Sequence, residues 1–367
     1  MKKCLFAAFF LIISGILFAQ NMINSESLLA LREARLCFDN NDFGKALKYS
    51  EDAILLRKSQ IEREYSIIEN SLAPKEVKAT GDRIDNVLLI LEERDDYDCI
   101  NIIKSYSDKK GIEYFNNSIE ELKKYILAQK EYPEAYKLIG DIYKLEGEYD
   151  FAEDYYKKAL DNEGVLDIPD EKFEILYLLA DISRLKNDYD RMEIRLLNVI
   201  GTQQLEKNKI ISRAIKNTVK ADLPENVDKT FQLYRTYDFY SLKAYSLLAE
   251  YYYSLGENER AFNYSALAVI NGFTKICKLL EKRNLDYSFT TLEGFFDEVP
   301  NYPDIVEWGS VNYVWKSFNL LADVCSSLGY NKYAMKLLTI IAFHSPEKYW
   351  QQDAVLKLDT LDGIKNP

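Results

Sequence analysis

Residues 133–166 read PEAYKLIGDIYKLEGEYDFAEDYYKKALDNEGVL, and their spacing decides the fold. Tyr136, Ile139, Gly140 and Tyr143 recur at intervals of three and four, which is one apolar face of a helix. Gly147 breaks that helix, and Tyr149, Ala152, Tyr156 and Ala159 supply the inner face of a second one. Small residues sit where two helices must approach closely: Gly140 on the first, Ala152 and Ala159 on the second. The aromatics fill the space around them.

The same order of sizes returns along the chain. Residues 27–60 carry Ala34 and Cys37, a turn at Asn40, Asn41 and Asp42, then Phe43, Ala46 and Ala53, with Ser50 in place of an aromatic. Residues 99–132 align as a degenerate copy. Residues 173–206 follow a six-residue insertion containing Pro169, and residues 242–275 and 315–348 are two further copies. Pro346 closes the last one, and residues 349–362 read as a terminal capping helix over the exposed end of the array.

This repetition resembles the tetratricopeptide repeat family, whose unit is a helix–turn–helix of about 34 residues. The resemblance covers roughly half to two-thirds of the chain beyond its first segment. It implies an all-α, right-handed helical-repeat solenoid of antiparallel helix pairs with a terminal capping helix. The expected organisation is an N-terminal helical and degenerate-repeat region over 21–132 and a central array over 133–275 with a helical insertion at 204–237. An irregular aromatic insertion over 276–314 and a last unit with its cap over 315–367 complete it.

Residues 1–20 stand apart. Lys2 and Lys3 precede an apolar run from Cys4 to Phe18, and Ala19 and Gln20 follow, the pattern of a secretory signal. The run is short for a membrane span, which takes about 20 apolar residues. The pattern predicts a leader over residues 1–20 that is cleaved, with an uncleaved amino-terminal anchor as the alternative. No second run reaches spanning length. With the compact leader, the Lys-, Ile-, Asn- and Tyr-rich composition suggests a bacterial envelope protein, periplasmic or secreted.

The formal net charge is −12 and becomes more negative without the leader. That balance argues against nucleic-acid and anionic-membrane binding, both of which need basic surface. Cys37, Cys99, Cys277 and Cys325 lack CxxC spacing, so zinc and redox motifs have no support, and buried free thiols are expected. Phosphate loops, HExxH and GxSxG are absent. The lone histidine, His344, reads as a solvated or carbonyl-capping residue at a helix end. Asp95–Asp96 and Asp161–Asn162–Glu163 lack the ligand order of a calcium loop. No catalytic residue, metal site or cofactor is therefore expected.

The repeat register gives one positive clue. On each first helix, positions 4, 7, 8 and 11 face the core, so positions 2, 5, 9, 12 and 13 point the other way. In the tetratricopeptide family that opposite face lines a concave groove for partners. Position 9 holds Asp141, Asp181, Glu250 and Asp323, an acidic ladder, and its neighbours on this face are Lys137, Tyr177, Arg184, Lys243, Tyr253, Lys316 and Asn319. The expectation is a groove for a protein or peptide, basic or amide-rich, with the acids as acceptors. A solvated face in an acidic protein is the plainer reading. The groove lacks the asparagine-and-lysine set with which some relatives hold a peptide carboxyl terminus. The tyrosines from 237 to 253 are assigned mostly to packing, with Tyr253 toward the groove. The aromatics Phe295, Phe296, Tyr302 and Trp308 suggest a ligand edge. They point to the alternative function, a glycan- or small-ligand-binding envelope protein or transport accessory.

Overall fold

A computed structural model describes residues 26–80, 83–110 and 119–363. The expected signal segment lies outside them. Among the described residues every regular element is helical, and helices adjacent in sequence pack as neighbouring pairs. This is the all-α helical-repeat fold expected from the sequence. The chain divides into two compact units, the first ending at Lys186 and the second beginning at Asn187.

One backbone device recurs at the turn inside the pairs. In the stretch that opened the sequence, α1 is Pro133–Glu146 and α2 is Tyr149–Asp161, as the periodicity predicts. Gly147 between them takes φ +82°, a left-handed conformation costly for any residue with a Cβ, and the Glu148 amide donates back to the Tyr143 carbonyl. The same six-to-one hydrogen bond joins Asp42 to Cys37, Asp96 to Leu91, Glu257 to Tyr252 and Tyr330 to Cys325. Left-handed residues Asn41, Asp95, Gly256 and Gly329 precede the respective donors. Asparagine and aspartate tolerate this backbone through local hydrogen bonding, which is why the turn survives where glycine is missing. Four residues past four of these donors stand Ala46, Ala152, Ala261 and Ala334, all fully buried.

Close approach is built into the reference pair. A Cβ placed on Gly140 would lie 2.6 Å from Tyr156 Cε1, because the buried Tyr156 ring covers that glycine. Gly140→Ala gains about 1 kcal/mol of helix propensity but must displace the ring, and overpacking costs about 1–3 kcal/mol. A net loss of stability by chemical denaturation is expected, partly recovered when Tyr156 is also changed to Leu.

In the first unit, the helix Glu26–Asp39 packs on the 30-residue helix Phe43–Leu72. The sequence reading closed that repeat at residue 60. No glycine or proline occurs from Lys45 to Ala73, so nothing stops the helix until Pro74. The overhang is not idle. Its Ile61, Ile68 and Leu72 share a core with Ile84, Val87 and Leu91 of Ile84–Glu93, Cys99 and Ile103 of Tyr97–Lys110, and Leu122 and Ile126 of Ile119–Ala128. The helix Glu171–Leu185 packs on α2 and completes the unit.

The second unit contains the pair Leu242–Ser254 and Asn258–Arg283 and the pair Val314–Ser327 and Asn331–His344. The helix Lys348–Gly363 packs on the latter pair as the expected cap. Asn258–Arg283 runs past residue 275 with no proline to stop it, and Gly272 inside it packs against Val314, where a Cβ would lie 2.8 Å from Cγ2; part of the segment read as an irregular insertion is therefore helical. Leu292–Glu298 and Pro303–Val311 account for most of the rest. Its aromatics require a correction. Phe295 and Phe296 are each 1% exposed and pack edge-on and tilted against Phe273, Phe318 and Trp315, so they are core rather than a ligand edge. Tyr302 and Trp308 are half-buried.

Three smaller expectations are revised. Cys99, Cys277 and Cys325 are buried free thiols, and burial pushes their pKa values up, whereas Cys37 is only half-buried. His344 is not a carbonyl cap: its Nδ1 lies 2.7 Å from Asp297 Oδ1. Tyr245 and Tyr252 are buried as expected, but Tyr237 and Tyr240 of the same run are exposed.

Candidate functional site

In the first unit, the face that the register turns away from the core is organised by α1. Position 9 of that helix, Asp141, is held on two sides: Lys137 one turn earlier lies 3.3 Å from Oδ2, and the Tyr156 hydroxyl donates to Oδ1 at 2.7 Å. The missing side chain of Gly140 thus lets the Tyr156 ring reach across and fix Asp141. Packing and site are one feature here. Lys137 also lies 3.1 Å from Glu174 of the next first helix. Burial works against the Lys137 charge, but Asp141 and Glu174 outweigh it and raise its pKa.

Asp181 repeats the pattern with different geometry. Lys144 reaches it from α1 at 2.6 Å, and Arg184 reaches it from its own helix at 2.6 Å. Burial opposes ionisation, yet these two cations hold its carboxyl below the usual range. Tyr177 is half-buried on the same helix.

In the second unit Glu250 is paired with Lys316 at 2.7 Å, and Tyr253 Oη lies 3.4 Å from Ser327 Oγ. Lys243 and Lys316 both stand over the Tyr313 ring. Asp323 is paired with Lys357 of the cap at 2.7 Å, and burial dominates there, raising its pKa despite that lysine. Lys357 also serves Asp353, so it neutralises Asp323 less completely than two cations neutralise Asp181. Asn319 was placed on the open face by register. It is 1% exposed, because the cap covers it and Lys357 donates to its Oδ1 at 2.8 Å.

The acidic ladder is therefore paired within the chain at every rung. Asp181 and Glu250 take a lysine from a neighbouring repeat's first helix and Asp323 one from the cap, whereas Asp141 takes its own helix's Lys137, which also reaches Glu174. Such half-exposed pairs contribute about 0–1 kcal/mol each, so their clearer effect is to set which helix faces lie opposite.

One place on this face differs. Arg35, Glu134, Lys137, Leu138, Asp141 and Glu171 line a cavity of about 210 Å3 in the first unit. Glu134 is 5% exposed; its Oε1 accepts from the Asp167 amide at 2.6 Å, and its Oε2 has no protein partner. Desolvation raises its pKa against the pull of that hydrogen bond. Glu134 was not singled out from the sequence, although it occupies position 2, on the same face as Lys137 and Asp141. The periodicity could have found it. The same register reaches Arg35, which takes position 9 of the 27–60 unit, whereas Glu171 lies before the start of its unit and carries no such signal.

No protein-family model matches this chain. An uncharacterized protein of Treponema pallidum (strain Nichols) is 26% identical over 332 residues, spanning 89% of this chain and 88% of that protein. The similarity runs through both units.

Proposed function

We propose that this chain is a noncatalytic, tetratricopeptide-like interaction scaffold of the bacterial envelope that holds a partner protein or peptide on the groove face of its first unit. One observation carries the reading: the buried Glu134 carboxylate, with one oxygen uncommitted, in a small cavity on the face where the repeat register puts partner contacts. A buried acceptor without a partner costs about 1–3 kcal/mol. A lysine, arginine or amide donor from a basic or amide-rich peptide removes that cost on binding. Export rests on the leader-like residues 1–20, and the absence of catalysis on the lack of a nucleophile–base set in the sequence.

The paired ladder refines the expectation of a long acidic groove. Recognition concentrates at Glu134 and Asp141, while the outer rungs set the register of the repeats. The glycan or small-ligand alternative loses its proposed seat, since Phe295 and Phe296 are core.

The test is an array of basic, amide-rich and acidic peptides against the full chain, followed by titration of the best binder. Glu134→Gln is expected to weaken a basic peptide about tenfold or more, and Asp141→Asn by less. Equal binding by Glu134→Gln and the native chain overturns the reading.

A further inference from the structure

A second cavity in the first unit, of about 430 Å3, shares no lining residue with the groove site. Several elements converge on it. The long helix Phe43–Leu72 brings Arg57, the last turn of Tyr97–Lys110 brings Lys109, and the link before α1 brings Gln129 and Tyr132.

The polar groups on its wall are unbalanced toward donors. Arg57 donates from Nε to the Gln129 carbonyl at 2.8 Å, and its Nη2 lies 3.4 Å from Gln129 Oε1. That contact orients the amide with its oxygen toward the guanidinium, because the reverse would oppose two donors. Gln129 Nε2 is then left without a protein partner, and the residue is 3% exposed. The Tyr132 ring lies 4.5 Å under the Arg57 guanidinium; the residue is fully buried and its hydroxyl also has no protein partner. Neither Arg57 nor Lys109 forms an ion pair among the described residues, in contrast to the lysines of the groove.

Two acids line the cavity as well. Glu64 is already committed, with one oxygen accepting from Gln60 and the other from the Tyr106 hydroxyl at 2.5 Å. Asp167 is exposed. Leu28, Ile61 and Ile102 supply apolar wall. Two cations and two unsatisfied donors, with apolar side chains beside them on the same wall, describe a receptor for one carboxylate on an apolar body. A dianion such as phosphate suits it less, since Glu64 and Asp167 would repel the second charge.

We propose that this cavity binds a small organic carboxylate, its oxygens held by Arg57, Lys109, Tyr132 Oη and Gln129 Nε2 and its apolar body against Leu28, Ile61 and Ile102. Tyr132 is the discriminating residue. Its hydroxyl has no partner in the protein, so Tyr132→Phe removes a buried cost from the fold and a donor from the ligand.

Calorimetric titration of the full chain with hexanoate, phenylacetate, hexylamine and inorganic phosphate tests the proposal, with thermal melts of each variant. Binding of hexanoate or phenylacetate is expected, weakened tenfold or more in Tyr132→Phe while its Tm without ligand stays level or rises. Lys109→Met weakens it similarly, and Glu134→Gln in the groove leaves it unchanged. A fall in Tm with Tyr132→Phe, carboxylate binding indifferent to Tyr132 and Lys109, preference for hexylamine or phosphate, or no carboxylate binding at millimolar concentration each overturns it. Because the groove reading is tested by peptides and Glu134, either can fail alone.

Discussion

Raising the pH from 9 to 11 is expected to unfold the first unit. Tyr106, Tyr132, Tyr136 and Tyr156 are buried in it, and burial, before any neighbouring charge, raises all four phenol pKa values, that of Tyr132 to about 12. In the unfolded chain the same phenols ionise near pH 10. A group whose pKa is raised by folding contributes stability that is fully present below its unfolded pKa and lost as pH climbs toward the folded value. At pH 11 each phenol withdraws about 1.4 kcal/mol, on the order of 5 kcal/mol for the four, against a total of about 5–15 kcal/mol for a domain. Lys137, with its raised pKa, acts in the same direction. Exposed tyrosines such as Tyr237 and Tyr240 ionise without unfolding, so the loss of helical signal by circular dichroism should coincide with the later part of the phenolate absorbance, that of the buried phenols. Phenolate absorbance rising to completion near pH 10 with the helical signal intact would contradict the burial.

The second large effect separates core from ligand edge. Phe296→Ala is expected to cost about 3–5 kcal/mol, the range for removing a fully buried aromatic. Its ring centroid lies 5.0 Å from that of Phe318, 5.4 Å from Phe295 and 5.9 Å from Trp315, so truncation opens a hole that three rings cannot close. Trp308→Ala, at a half-buried position, should cost less than half as much. Equilibrium denaturation of both variants decides it: a Phe296→Ala protein as stable as the native chain would return that aromatic cluster to the surface.

These results mark where the sequence was legible. The reference pair was readable to the residue, because Gly140, Gly147, Ala152 and Tyr156 each answer one steric demand of two helices in contact. The length of the Phe43–Leu72 helix was also readable, from the want of a stopping residue, but a fixed repeat length was imposed on it instead; that of Asn258–Arg283 was less so, because Gly272 stands inside it. Phe295 and Phe296 were misread because an aromatic cluster looks the same in sequence whether it seals a core or meets a ligand. Only the burial of its neighbours distinguishes the two.

The candidate site was half legible. Register placed Lys137 and Asp141 correctly and could have placed Glu134. It could not show that Asp181, Glu250 and Asp323 each meet a lysine from another helix, since those partners lie 37, 66 and 34 residues away in sequence. Charge pairing between repeats is a property of packing. Asn319 failed for the same reason: the cap that covers it belongs to a helix with no fixed register to the repeat.

The groove-centred function is tested most directly by hydrogen-exchange mass spectrometry on the full chain, with and without the tightest basic peptide from the array. The expected result is slowed exchange over residues 133–146 and the facing turns near Arg35 and Glu171, abolished in Glu134→Gln. Protection confined to other segments, or undiminished in Glu134→Gln, would contradict it.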